Sequence, residues 1–193
     1  MLTYYFAPGS SSMAPHIALQ EIGVPYESRP LSFAQRDTHT PEYLALNPDG
    51  KVPLLLIDGR PLTEVAGILF YLARRFPDAK LLPAGDIEAE AQAISWMSFC
   101  ASALHPARTL PPAQAQAVWA VAEQRLGDGE WALGAYSIAD IHLFRLFWRF
   151  HPLAGLTADA FPRLTAHHAR MLARPAVQRV IATEAAVGYQ LPA

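Results

Sequence analysis

Lys51-Val52-Pro53-Leu54-Leu55-Leu56-Ile57-Asp58-Gly59-Arg60-Pro61-Leu62-Thr63-Glu64 joins a proline-led apolar run to an Asp-Gly pair. A second short run follows, then an acidic residue ahead of a helical pattern. Asp-Gly between two such runs signals a hairpin, because both central residues of the tight turn need positive φ. A proline at the mouth of a strand has no N–H for the ladder and leaves its neighbour's backbone to pair elsewhere. If the Val52-Pro53 bond is cis, that backbone stands at a sharp bend, which only X-Pro provides at tolerable cost. The stretch is therefore expected to offer peptide groups to an extended, peptide-like ligand.

Working outward, Leu2 to Phe6 reads as an aromatic-rich strand and Ala7-Pro8-Gly9-Ser10 as a loop. Ser11 or Ser12 stands where a helix N-cap belongs, with Ser12 the better choice and Pro15 in the first turn. The apolar face Ala14, Ile17, Ala18 and Ile22 ends at Gly23. Tyr26 to Leu31 forms a second strand, parallel to the first because a helix intervenes. Thr40-Pro41-Glu42 starts a short helix that stops at Asn47-Pro48. Another runs from about Glu64 to Arg75 with Ile68, Leu69 and Leu72 inward. The resulting order, βαβαββα, is that of a small α/β domain of thioredoxin type, residues 1–76.

The Pro- and Gly-containing stretch 77–86 reads as a linker. Beyond it, in 87–193, only helical periodicity survives: Ile87 to about Leu104, Ala113 to Leu126, Ile138 to Phe150, Phe161 to Leu172, and Ala176 to Ala186. Ser137 and Asp140 have the spacing of a capping box, and Tyr136 and Ile141 that of a hydrophobic staple. The second domain is all-α.

The chain has 193 residues, 52% of them hydrophobic and 17% charged, which is globular and leaves no room for extensive disorder. Fifteen basic and 17 acidic residues give a formal charge of −2, so neither nucleic acid nor an anionic membrane is expected as a partner. The first 12 residues carry no Lys or Arg and break at Pro8-Gly9, unlike a signal peptide. No apolar run approaches the roughly 18 residues of a membrane span. Cys100 is the sole cysteine, which rules out an internal disulfide and Cys-x-x-Cys zinc sites. A cytoplasmic protein without a metal is the expectation.

With Tyr4-Tyr5, Pro8-Gly9 and the serines after it, Ala14-Pro15-His16-Ile17, Asn47 to Pro53, Leu62-Thr63-Glu64, Trp96, Leu104-His105 and the Asp140 capping box, the sequence resembles the glutathione transferase family, most closely its bacterial beta-class-like members. The resemblance covers nearly the whole chain. It implies glutathione as co-substrate, a small electrophile as second substrate, a homodimer, and an electrophile site formed by the all-α domain. Val52, ahead of a cis Pro53, would pair its backbone with the cysteinyl peptide. Glu64 and the Val65 N–H would meet the γ-glutamyl end at the start of a helix. Val65 lacks the hydroxyl that family members often have there, so the backbone must suffice. Lys51 or Arg36 would reach the glycyl carboxylate.

The resemblance also implies a departure. Where beta-class members carry a cysteine, this chain has Ser11, and a histidine matching His105 lies across the site. Serine forms no mixed disulfide, but its hydroxyl can donate to the glutathione thiolate. Moving a thiol pKa from about 8.5 to about 6.5 needs roughly 2.7 kcal/mol. A hydrogen bond to a charged acceptor supplies about 1.5–3 kcal/mol and a helix end about 0.3–1. Ser10 lies nearer the serine position of other classes, and Tyr5 is a further hydroxyl in reach. Simple loop and cap roles for all three serines stay open, as does a structural role for Tyr5. Ser98 and Ser102 share a helical face with His105 and either complete the glutathione site or form a solvated face. Trp119 is a candidate border of the electrophile pocket. Cys100 is expected in the core, and His142, His167 and His168 on the surface. The short His105–Tyr136 segment points to a more open pocket than the family's usual one.

Overall fold

The computed structural model describes residues 1–83 and 85–189. Residue 84 of the expected linker and residues 190–193 of the expected helical domain lie outside the described residues. The chain divides into two compact units, one of residues 1–72 with 175–193, the other of residues 73–174.

The first unit contains β1 (Leu2–Phe6), α1 (Met13–Ile22), β2 (Glu27–Pro30), α2 (Pro41–Leu46), β3 (Leu54–Ile57), β4 (Arg60–Thr63) and α3 (Val65–Arg75), whose last turn crosses the division. The sheet order is β2-β1-β3-β4, with β1 parallel to β2 and antiparallel to β3, and β3 antiparallel to β4. This is the expected thioredoxin-like arrangement. Asp58 and Gly59 both take positive φ, 49° and 82°, as the tight hairpin requires. Alternation along β1 puts Tyr4 and Phe6 on one face and Tyr5 on the other. Tyr4 and Phe6 lie against His16 of α1, whereas Tyr5 meets Tyr43 of α2. The β2 strand is shorter than expected and exposed throughout; its Glu27–Arg29 pair and Pro30 suit an edge that must not recruit another strand.

The second unit holds α4 (Ile87–Phe99), α5 (Pro112–Leu126), α6 (Ile138–Ala154) and α7 (Pro162–Leu172) around Trp119, Leu143, Phe147 and Leu164. The α8 helix (Pro175–Val187) does not join them. Its apolar face, Ala176, Val177 and Val180, is buried in the first unit, where α8 packs on α1. The expected grouping of all residues from 87 onward therefore differs from the units observed. Helical periodicity shows that a face is buried but not against what.

Two helices also differ from their expected form. The α6 helix continues past Phe150 through Pro152, whose missing N–H is tolerated in the last turn, and ends at Gly155 with φ 64°. Helix α4 gives way to a π turn over Cys100–Leu104, in which His105 N–H donates to Cys100 O at 2.9 Å. That extra residue turns everything beyond it by about 100°. Ser98 and Ser102 are consequently exposed while His105 is half-buried, so the three do not share the face that unbroken helical spacing gives.

Candidate functional site

The loop between β1 and α1 is built from its own hydroxyls. Ser12 Oγ donates to Ala7 O at 3.1 Å and accepts the Ala7 N–H at 3.1 Å. Ser10 Oγ lies 2.7 Å from Ser12 Oγ and accepts the Ser12 N–H at 3.2 Å. Ser12 thus folds back into the loop and makes no side-chain cap, contrary to expectation; at φ −64° it is already helical. Ser10 is turned inward with it, and Tyr4 OH donates to Ser12 O. Burial and the nearby Glu184 hold the Tyr4 phenol well above its ordinary pKa, so it stays protonated.

A second anchor comes from α8. Glu184, fully buried, accepts the Gly9 N–H at 2.6 Å through one oxygen and lies 2.8 Å from His16 Nδ1 through the other. A buried carboxylate with both oxygens engaged is tolerable; one without partners is not. Sequence reading missed this role of Glu184 and His16. The available signal was an acid four residues after Val180 on the apolar face of α8.

Ser11 is the exception among the loop serines. Half-buried, it donates from Oγ across to Val52 O at 3.1 Å. The Val52–Pro53 peptide bond is cis. Behind it, Lys51 O accepts from Tyr43 OH at 2.6 Å and Asn47 Nδ2 at 2.7 Å. Burial pushes the Tyr43 phenol up to about 12. Gly50, at φ 61°, lets the chain pass Thr38 O, which a Cβ there would approach to 3.1 Å. Val52 and Pro53 are buried and Lys51 is exposed.

Glu64, exposed and with φ 68°, immediately precedes α3, and Val65 is its first residue. The unpaired N–H groups of that helix start favour an anion. Arg36 is exposed and also lies in the left-handed region, at φ 60°. Tyr5, half-buried, spends its ring on Tyr43 at 5.8 Å.

In the second unit, His105 stacks on Phe150 at 6.1 Å. Burial, then Arg145 and Arg108, lower its pKa to about 4, so the imidazole is neutral at pH 7. Ser102 Oγ donates to Ser98 O at 2.8 Å. Trp119 belongs to a small cleft of about 40 Å³ whose lining includes Arg108, Leu110, Phe150 and Leu153. Cys100 is buried, and burial pushes its thiol far up, away from reactivity. The surface placement expected for three histidines is corrected: His142 and His167 are buried and His168 half-buried. His167 is held by Asp140 at 3.0 Å, a partner one helix away that sequence spacing does not reveal. Among the described residues no group of three or more His, Cys, Asp or Glu side chains is placed to hold a metal, and no helix is long and apolar enough to cross a membrane.

Residues 1–74 match the glutathione S-transferase N-terminal domain, and residues 110–184 match the glutathione S-transferase C-terminal domain. Glutathione S-transferase GstA of Escherichia coli O157:H7 is 30% identical over 196 residues, covering 93% of this chain and 97% of that one. Among solved structures, a glutathione transferase homologue from Sulfitobacter with bound glutathione superposes with a TM-score of 0.83 at 34% identity, covering 95% of this chain and 98% of that one. The bacterial beta-class glutathione S-transferase of Sphingomonas chungbukensis gives 0.81 at 34% identity over 94% and 98%. The chain belongs to the glutathione S-transferase family, a family of transferases.

Proposed function

We propose that this protein binds glutathione along the Val52 backbone, stabilises its thiolate with the Ser11 hydroxyl and transfers it to a small electrophile. One observation carries this reading: the Ser11 hydroxyl reaches out of the loop to the carbonyl of Val52, at 3.1 Å. A hydroxyl donor and the Val52 peptide group beside the cis bond are thereby brought to one place. Ser10, turned into the loop, positions the chain and gives no hydrogen bond to sulfur. Glu64 and the Val65 N–H receive the γ-glutamyl end, and Lys51 or Arg36 the glycyl carboxylate. His105 serves on the co-substrate side as a neutral imidazole. Ser98 and Ser102 are assigned to the outer face of the second unit rather than to the glutathione contacts.

The serine in place of the beta-class cysteine moves the chemistry from thiol–disulfide exchange to conjugation. No metal is invoked. We place the protein in the cytoplasm as a homodimer. A non-catalytic glutathione-binding module is the second reading, favoured by the Ser11 proton already being engaged by Val52 O.

Calorimetric titration with glutathione, with thiolate absorbance followed against pH for the wild type and Ser11→Ala, separates the readings. Binding with a lowered thiol pKa that rises in Ser11→Ala is expected. No binding sinks the transferase reading, and binding with an unshifted thiol favours the module.

A further inference from the structure

Resting on the reading that the cysteinyl peptide of glutathione pairs with Val52, we propose that the Val52 carbonyl restricts activation to thiols that bring their own neighbouring peptide N–H. Ser11 has one hydroxyl proton, and it lies on Val52 O at 3.1 Å. Ser12 offers no replacement, since it commits its proton to Ala7 O, and Ser10 Oγ is turned inward against Ser12 Oγ. For Ser11 to stabilise a thiolate, its proton must swing from Val52 O to sulfur while the thiol proton departs to solvent.

That swing removes a hydrogen bond from a carbonyl of a residue only 8% exposed. The preceding peptide is pinned by Tyr43 and Asn47 through Lys51 O, so the segment does not turn to find another donor. A buried acceptor that loses its partner is penalised. A ligand with an N–H beside its thiol-bearing carbon supplies the replacement: the cysteinyl N–H takes Val52 O as Ser11 O–H takes the sulfur. A ligand with the same thiol but no N–H there leaves the carbonyl bare. Ser11 and Val52 O thus act as one selective device, in which Val52 is the positioning and specificity-determining partner.

The test uses the full chain with glutathione and with its depsipeptide analogue, in which an ester oxygen replaces the cysteinyl N–H. Thiolate absorbance against pH is recorded for both ligands on wild type and Ser11→Ala. The bound analogue is expected to keep a thiol pKa higher than bound glutathione by about 0.4–1.1, the equivalent of one neutral hydrogen bond, after correction for the free thiols. That difference is expected to vanish in Ser11→Ala. Equal Ser11-dependent lowering for both ligands overturns the proposal while leaving the transferase reading intact; absence of any lowering for glutathione overturns both.

If the analogue does not bind, the carbonyl carbon resonance of Val52, labelled with carbon-13, decides. It is expected to move in Ser11→Ala without ligand. It should then coincide for the two proteins once glutathione is bound. A Val52 resonance indifferent to Ser11→Ala overturns the proposal.

Discussion

Each unit of this molecule contains one buried carboxylate that holds a histidine and a backbone turn at once, and the two are assembled differently. Asp140, fully buried at the start of α6, accepts from Ser137 N–H at 2.9 Å and Ser137 Oγ at 3.0 Å through one oxygen. Through the other it accepts from Ala132 N–H at 2.8 Å and lies 3.0 Å from His167 Nε2. Most of that set is local, so the helix start and its acid form together. Glu184 and His16 are 168 residues apart, and the Gly9 N–H joins them from the loop that carries Ser11. The first arrangement secures a helix. The second adds a distant anchor to a loop whose own hydroxyls already hold it locally. Similar chemistry therefore serves stability in one unit and the geometry of the candidate site in the other.

Removing the acids is the most direct way to break this symmetry. Asp140→Ala leaves several buried donors without an acceptor and is expected to cost about 3–5 kcal/mol, read as a loss of denaturant midpoint. Glu184→Gln keeps the shape and one acceptor, so its cost is expected to be smaller, about 1–3 kcal/mol. Its signature is different: glutathione affinity should fall with stability, whereas a variant of Asp140 that still folds, such as Asp140→Asn, should bind glutathione normally. Equal effects of the two on affinity would refute the division of labour.

Acid should separate the units next. Burial, with Arg145 and His105 adding to it, lowers His142 to about 3; burial, with His151 and His167, lowers His168 to about 4. Their folded pKa values lie below the unfolded value of about 6.5, so the unfolded chain binds more protons. Stability is then full above about pH 6.5 and is lost as pH falls toward 3–4. His142 alone accounts for up to about 5 kcal/mol, and the half-buried His168 for much less. All four tryptophans, at 96, 119, 131 and 148, lie in the second unit, so their fluorescence monitors it selectively. The thermal midpoint seen by tryptophan is expected to drop between pH 6 and 4, and His142→Phe to flatten that drop.

The smallest expected effects lie within the serine loop. Ser10→Ala should cost about 1 kcal/mol of stability and leave the thiolate pKa of bound glutathione unchanged. Ser11→Ala should raise that pKa and, by leaving Val52 O without its donor, also cost about 1 kcal/mol of stability. If both shift the pKa equally, the loop acts as a whole and the contrast between its serines fails.

What could be read from the sequence follows the same local-to-distant gradient. The Asp58-Gly59 turn, the cis-capable Val52-Pro53 pair and the Ser137–Asp140 box are written within a few residues, and their spacing carries the physics. The order of strands and helices along the chain and the helical character of the second unit follow from periodicity and turn signals. The π turn at Cys100 carries no residue code, and missing it displaced Ser98 and Ser102 from the face assigned to them. Placing Ser12 as the cap failed because three consecutive serines compete for one backbone, and only the folded loop decides which turns inward. His167 was misplaced because its partner, Asp140, stands on another helix.

The return of α8 to the first unit also bears on time. At about 5–20 residues per second of synthesis, the 168 residues between His16 and Glu184 take roughly 8–34 s to add. For the larger part of that interval, once residue 75 has been added, the strands, hairpin and first three helices are already made, yet the loop bearing Ser11 lacks the carboxylate that fastens Gly9. The candidate site is therefore among the last parts of the molecule to become rigid, although nearly all of its residues are among the first to be synthesised.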